Sequence, residues 1–218
     1  MKKAITSMDI NRAIRDQISG GVTKVKIKDL WGQDAICTGL NRNIEVVIEG
    51  FAGNYLGAFN AGGIITLKSS GSTKAAGNYV GDTMMKGGII INGDIGDMAG
   101  YQMSGGIIIV NGSTGWGTGM GMTGGVIIVN GSVGDNCGYR MKGGEIIING
   151  STGKKVGAEM KGGTIYISGT YDLSSDAMEV DMTPREIGKL RTYFSHYKID
   201  ADAEKFIKII PRRGERNE

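Results

Sequence analysis

The stretch that decides the fold runs over residues 124–131 and reads Gly-Gly-Val-Ile-Ile-Val-Asn-Gly. Related stretches recur along residues 87–169, each followed by a glycine-rich arm of the form G-x-x-G-x-x-x-G-x-x-M-x-G-G. The doubled glycines, the first at Gly87-Gly88, are 18, 19, 19 and 19 residues apart, which indicates that the first coil has one residue fewer. A fixed period of this length is typical of a chain wound into stacked coils.

Composition agrees with glycine at fixed turns between buried runs. The chain has 218 residues with 39 glycines and 2 prolines, yet 40% of it is hydrophobic, and it has no Gly-X-Y triplets. A disordered or collagenous chain is therefore excluded. The net charge of +3 is small and the basic residues are dispersed, so the sequence does not indicate nucleic-acid binding.

Aligning the repeats predicts which side chains face inward. The second and fourth residues after each doubled glycine are always aliphatic, whereas the first and third positions admit Thr66, Glu145 and Tyr166 and should face outward. Several outward positions are nevertheless apolar, and a patch of this kind is seldom left exposed to water. We expect either the C-terminal segment or another protein to cover these residues, which are Ile89, Ile107, Ile109, Val126 and Ile128.

The recurring Asn-Gly pairs could indicate β-hairpins, but each is followed by an arm and not by a second alternating strand. Identical runs one period apart can instead pair in parallel, one above another. We therefore predict an all-β fold, a right-handed parallel β-helix of about eight coils. An antiparallel sandwich is the alternative.

The ends of the chain should close this stack. Residues 9–19 predict a short helix with Asp9 as its N-cap and Gly20-Gly21 at its end, and this helix should cap the open coil. Thr183-Pro184-Arg185-Glu186 begins a second helix, followed by a last strand ended by Pro211 and a loose basic tail from Arg212. The predicted segments are a capping helix (1–21), the β-helix (22–170) with a surplus loop around 69–74, and a C-terminal helix and tail packing on it (171–218).

Two motifs resemble ligand sites. Residues 119–124 spell G-x-G-x-x-G, but a strand follows where a dinucleotide site needs a helix, so we interpret these glycines as part of the repeat. Five methionines share one register, and a flexible apolar ladder is a better interpretation than a soft-metal site because their sulfurs cannot converge. They are Met85, Met103, Met122, Met141 and Met160.

The remaining polar candidates do not predict an active site. Asp94, Asp97 and Asp135 lie in turns, and Asp97 and Asp135 share a register two coils apart, a weak match to the carboxylate pair of an inverting glycosidase. His196 is the only histidine, and packing in the C-terminal helix is its expected role. The Asn-Gly-Ser sequons at 111, 130 and 149 follow from the turn. We therefore predict no catalytic, cofactor-binding or metal-binding residue in this chain.

The sequence also predicts the compartment. Cys37 and Cys137 are far apart, and the N-terminus lacks the apolar segment of a secretory signal. The apolar runs are too short to cross a membrane. These features predict a soluble, cytoplasmic protein.

The repeat resembles the C-terminal β-helix domain of the glutamate synthase large subunit, and also the β-helical subunit of formylmethanofuran dehydrogenase, which shares that fold. Gly57-Ala58-Phe59-Asn60-Ala61 is similar to a signature of glutamate synthases. Val133-Gly134-Asp135 with Met141-Lys142-Gly143-Gly144, and the segment over residues 205–211, are similar to their later coils and C-terminus. The resemblance extends over residues 36–211.

The resemblance implies a scaffold that couples chemistry located on other domains. A chain of this kind standing alone implies a split, archaeal-type enzyme whose amidotransferase, FMN and iron–sulfur centres lie on partner chains, with no cofactor in this one. The assembly would convert glutamine and 2-oxoglutarate to glutamate. Alternatives are the corresponding subunit of formylmethanofuran dehydrogenase or of a methylglutamate-synthase-type complex and, from another class, an autonomous hydrolase. The chain could also associate with further copies of itself as a homo-oligomer.

Overall fold

The computed structural model describes residues 5–69 and 74–212. Within these residues the chain forms two α-helices and twelve strands. In chain order they are α1 (Ser7–Ser19), β1 (Lys24–Trp31), β2 (Glu45–Phe51), β3 (Ala61–Lys68), β4 (Lys74–Ala76), β5 (Lys86–Asn92), β6 (Asp94–Ile95), β7 (Ile107–Asn111), β8 (Val126–Val129), β9 (Lys142–Ile148), β10 (Gly162–Ile167), β11 (Ala177–Val180), α2 (Pro184–Tyr197) and β12 (Ile207–Pro211).

The main sheet confirms the all-β parallel β-helix. Eight of the described strands (β1, β2, β3, β5, β7, β8, β9 and β10) lie side by side in chain order and pair in parallel, so about seven turns of chain connect them. Like residues stack directly, as in the row Ile108, Ile127, Ile146 and Ile165. The antiparallel sandwich is therefore wrong. The right-handed sense of the coil stays a prediction.

The inward and outward faces also agree with the repeat alignment, except in β5. In β7 to β10, the aliphatic residues at the second and fourth positions after the doubled glycine are fully buried in one core. In β5, however, Ile89 pairs with Ile108 and is buried in that core, while Ile90 pairs with Ile109 and faces outward. The assignment of Ile89 to the outer patch is therefore wrong.

The reason for this error is that the first coil is not a residue short. Gly87 has the same left-handed backbone as Gly106 (φ +86° and +85°), and Gly88 pairs with Ile107. Lys86 thus stands where later coils have their first glycine, and the period from here on is 19 residues. The same shift corrects the methionine ladder, because Met84 is fully buried and Met85 is 46% exposed. The ladder of Met84, Met103, Met122, Met141 and Met160 lies inside the core, as an apolar filler should.

Helix α1 closes the open end of the stack. Ile14 is buried in the main core, and the side chain of Asn11 donates to the carbonyl of Ala35 (2.7 Å) and accepts from the N–H of Cys37 (2.9 Å). These contacts satisfy backbone groups that a preceding coil would otherwise pair. Thr6, not Asp9, is the N-cap; Asp9 is the third residue of a capping box, and its carboxylate accepts from the N–H of Thr6.

The C-terminal segment covers the outer apolar patch, which decides between the two occupants left open by the sequence. Leu190 and Phe194 of α2 are buried against the outward row of the sheet, together with Phe206. The predicted start of α2 is confirmed, with Thr183 and Glu186 forming a capping box and Pro184 in the first turn. The sheet residues beneath this helix and its return segment are Ile109, Ile128, Ile147 and Tyr166.

Half-buried charges fix α2 in register on the sheet. Glu186 pairs with Lys208 at 2.6 Å, and Lys189 pairs with Glu145 of β9. Burial raises the pKa of Glu186, but hydrogen bonds from Lys208 and Thr183 outweigh it and bring the pKa to about 2. The carboxylate therefore stays ionised, and the helix has polar as well as apolar anchors.

The chain differs from the prediction just after the last strand. Pro211 is the final residue of β12, which pairs antiparallel with both β10 and β11. Arg212 is held by hydrogen bonds to the carbonyls of Ser175 and Asp176 and is not loose, while residues 213–218 lie outside the described part of the chain. Of the predicted surplus loop, residues 70–73 also lie outside it, and Lys74 begins β4.

Candidate functional site

The carboxylates considered for glycoside hydrolysis are part of a hydrogen-bonded ladder between coils. The Oδ1 atom of Asp97 accepts from the backbone N–H of Trp116 at 2.8 Å, and that of Asp135 accepts from the N–H of Lys154 at 2.7 Å. Asn54 and Asn78 occupy the same register and make the same bond to the next coil. Because asparagine substitutes for aspartate in this row, the row needs a carbonyl-type acceptor and not an acid.

The ladder explains part of the glycine spacing. A Cβ placed on Gly115 would lie 2.0 Å from the Oδ1 of Asp97, so any side chain at that position would displace the acceptor. Gly153 stands in the same relation to Asp135, also at 2.0 Å. The aspartates and the glycines of the arms are therefore one structural device.

Asp97 should accordingly tolerate asparagine but not alanine. We expect Asp97→Asn to leave the free energy of unfolding within about 0.5 kcal/mol of the wild type, because the amide oxygen keeps the bond to Trp116. Asp97→Ala should cost about 1 kcal/mol, since it leaves that N–H without its acceptor. Urea denaturation of the two variants measures the difference. If Asp97→Asn instead abolished hydrolysis of an ester or glycoside by the isolated chain, the acid would be catalytic.

Asp94 and the sequon residues form neighbouring ladders. The Oδ1 of Asp94 accepts from the N–H of Ser113 at 2.7 Å, and the hydroxyl of Ser113 accepts from the N–H of Ser132 at 3.1 Å. The amide of Asn149 donates to Asn130 at 2.8 Å, and Asn111 donates to Asn92 in the same way. The side chains that the turns repeat therefore join one coil to the next.

The other chemical candidates also have structural environments. Residues 119–124 form the turn before strand β8, with no helix after them, which confirms that this glycine motif belongs to the repeat. His196 is exposed on α2 and lies edge-on to Tyr197 at 4.5 Å. The expectation that it packs in the core is therefore wrong. Cys37 and Cys137 are buried, and burial raises the pKa of both thiols to about 12, which leaves them unreactive.

Two features bear on metal and small-molecule binding. Over residues 5–69 and 74–212, no group of three or more His, Cys, Asp or Glu side chains converges as a metal site would require. A depression of about 510 Å³ at the ends of β1 and β2 is bordered by Trp31 and Phe51. The carboxylate that lines it, Asp34, accepts from the N–H of Asn54 at 2.6 Å. That acid therefore belongs to the aspartate ladder.

The arms expose a second apolar surface, which sequence reasoning missed. We call it the arm face: the outward side chains of residues 52–60, 77–85, 96–104, 115–123, 134–142 and 153–161. Tyr55 and Tyr79 stack with ring centroids 4.9 Å apart, and Tyr101 lies edge-on to Tyr79 at 5.9 Å. The most exposed large apolar side chains on it are Phe59 (53%), Met85 (46%), Tyr55 (39%) and Trp116 (37%).

The arm face is suited to binding a macromolecule, because aromatic side chains supply contact area with little conformational entropy to lose. Its signal in the sequence was present but weak: the tyrosines recur in one register of the arms, at 55 and 79, with an irregular interval of 24 residues. The extra residues between these two tyrosines hid the alignment.

No described helix is long and apolar enough to span a membrane.

Comparison with known proteins identifies the fold at the level of a family. The model of the GXGXG motif family matches residues 1–210, which is nearly the whole chain. No curated protein matches the chain closely enough to name a relative. The chain therefore belongs to the GXGXG motif family, the β-helix domain of the glutamate synthase large subunit.

Proposed function

We propose that this chain is a non-catalytic scaffold subunit of a glutamate-synthase-like complex. The complex would convert glutamine and 2-oxoglutarate to two molecules of glutamate with a reduced donor. In this proposal the amidotransferase, FMN and iron–sulfur centres belong to partner chains in the cytoplasm, and the present chain holds those partners in a productive arrangement.

One observation carries the proposal: the polar side chains of the arms are used to join coils. Asp97 and Asp135 bond to the backbone of the next coil, as do Asp94 and Ser113. Groups engaged in this way support the stack and are poorly placed to act as acid and base on a substrate. Membership of a family associated with glutamate-synthase-like proteins supplies the reaction context.

Reconstitution with partner chains tests the proposal. The amidotransferase and flavin/iron–sulfur synthase chains encoded in the same genome would be purified and combined with and without this chain. We expect glutamine-dependent glutamate formation to require all three, whereas the mixture without this chain should use ammonia or hydrolyse glutamine without coupling.

Other outcomes would overturn it. Glutamate formation at an equal rate without this chain would show that the scaffold is dispensable. Recovery of a stable complex with a molybdenum or tungsten protein would assign the chain to a formylmethanofuran-dehydrogenase-type assembly. Hydrolysis of an ester or glycoside by the isolated chain, abolished by Asp97→Asn, would make it an autonomous hydrolase.

A further inference from the structure

Three aromatic residues of the arm face lie on a backbone that disfavours them. Tyr55, Phe59 and Tyr79 have left-handed φ angles of +61°, +58° and +59°. This conformation is uncommon outside glycine and asparagine, and for bulky side chains it is an outlier with an energetic cost. The left-handed turn recurs at these registers from coil to coil, so the feature that needs a reason is the aromatic side chain placed there.

The repeat itself shows that these aromatics are not needed to make the turn. Tyr79 donates its N–H to the next coil from the register that Gly117 and Asn136 occupy later in the stack, and Phe59 stands in the register of Gly121 in the same way. The corner can thus be made by residues that the left-handed backbone accommodates. Other non-aromatic side chains also occur in these registers at left-handed φ: Thr83, Met98, Gln102, Arg140, Lys155 and Glu159.

Trp116 repeats the pattern in the aspartate ladder. It occupies the register of Asn78, Asp97 and Asp135, whose side chains each accept a backbone N–H from the next coil. An indole offers no acceptor for such a bond. The side chain is instead 37% exposed on the arm face, so here too a structural contact is replaced by an exposed aromatic.

Charge divides the arm face into two sections. Across residues 52–60, 77–85, 96–104 and 115–123, the charged side chains are Asp82 and Asp97, which accept from the hydroxyl of Thr83 (2.7 Å) and the N–H of Trp116 (2.8 Å). We call this stretch the aromatic section. Residues 134–142 and 153–161, the basic section, carry two acids and five basic side chains, which are Arg140, Lys142, Lys154, Lys155 and Lys161. Arg140 pairs with Glu159 of the same section at 2.8 Å, so the four lysines are the cations that a partner would contact.

We propose that the arm face is the docking surface for a separately folded partner chain. The aromatic section takes an apolar patch of that partner, and the basic section contacts carboxylates that border the patch. Low charge with exposed Tyr, Trp, Phe and Met is the composition of the centre of a protein–protein interface, and a charged border sets orientation. The outward side of strands β7 to β10 is already occupied by α2. This inference rests on the proposed scaffold function, and it adds the surface and the chemistry of the partner.

The test uses substitutions that remove the aromatic side chains and, at the same time, lower the conformational cost of the left-handed backbone. The triple variant Tyr55→Asn, Phe59→Gly and Tyr79→Asn places at each position a residue that the repeat uses elsewhere, so its denaturation midpoint should equal or exceed that of the wild type. Binding of the full-length chain to each purified partner chain, the amidotransferase and the synthase, would be measured by calorimetry. We expect the partner that binds the wild type to bind the triple variant on the order of 100-fold more weakly.

Two further variants separate the parts of the proposal. Lys198→Asn relieves a left-handed φ of +56° at the end of α2, away from the arm face, and should leave binding unchanged. Reversing charge in the basic section, with Lys154→Glu and Lys155→Glu, should weaken binding about tenfold at low salt and less at high salt.

The outcomes distinguish this inference from the proposed function. Wild-type affinity in the triple variant, with hydrogen-exchange protection on another surface, overturns the arm-face site and leaves the scaffold function intact. Failure of the wild type to bind either partner chain overturns the scaffold function and the inference with it. If the wild type is a dimer that the triple variant converts to monomer, and no partner chain binds, the occupant is a second copy and the hetero-partner proposal is wrong.

Discussion

Gly119→Ala is expected to destabilise the fold by about 3–5 kcal/mol, although it adds a single methyl group. Gly119 has a left-handed backbone (φ +70°), and a Cβ there would lie 2.4 Å from the Cδ1 atom of Ile146 in the core of the next coil. The substitution therefore combines the conformational cost of a left-handed alanine with overpacking. Urea denaturation, with the slope checked for two-state behaviour, measures the loss.

Two variants separate these contributions. Gly121→Ala has nearly the same backbone angle (φ +67°), but its new Cβ would meet only the Cγ atom of Gln102 at 3.5 Å, so it should cost about 1–2 kcal/mol from conformation alone. Ile146→Val removes the clashing Cδ1 atom and should recover part of the loss when combined with Gly119→Ala. Equal losses for Gly119→Ala and Gly121→Ala would mean that contact with the core does not select this glycine.

Ile128→Asp should be more damaging still, by more than about 4 kcal/mol, and is expected to prevent stable folding. Ile128 points out of the sheet, but it has no exposed surface because Leu190 and Phe194 of α2 pack in the same cluster. A carboxylate there would be buried without a partner or would force the helix away from the sheet. Circular dichroism and urea denaturation follow both results.

Ile64→Asp is the matched control for that prediction. Ile64 is also an outward isoleucine of the main sheet, but it is 43% exposed. We expect a loss of no more than about 1 kcal/mol, partly from repulsion by Glu45, its neighbour on β2. If the two aspartates proved equally mild, α2 would not cover the sheet as described.

Local patterns in the sequence were sufficient to predict how the chain winds into coils. A period of 19 residues places like residues one coil apart, and aliphatic residues at the second and fourth positions must then face the inside. The start of the second helix was predicted correctly, because Thr183, Pro184 and Glu186 act on one another within a single turn. These inferences depend on contacts between residues close in sequence, or on regular repetition.

Errors arose where neighbouring residues of the same type, such as two glycines or two methionines, stand in different registers of the repeat. Counting doubled glycines placed Met85 in the ladder and Ile89 on the outer face, whereas Met84 and Ile89 are both in the core. The pairing of Gly88 with Ile107 shows that backbone conformation, not the Gly-Gly dipeptide, marks the corner. Asp9 was displaced as N-cap by Thr6 because either residue could begin the helix, and only the reciprocal hydrogen bonds distinguish them.

The sequence by itself therefore determined the coil, its period and the aliphatic rows buried beneath β7 to β10, because those follow from repetition and from side-chain alternation along a strand. Only the tertiary structure decided which outer surface stays exposed. The apolar row through Ile109 and Ile128 is covered by Leu190 and Phe194 of α2, which follows the coils in the chain. The aromatic side chains of the arm face are not covered. That choice depends on where a distant segment packs, which no local pattern encodes.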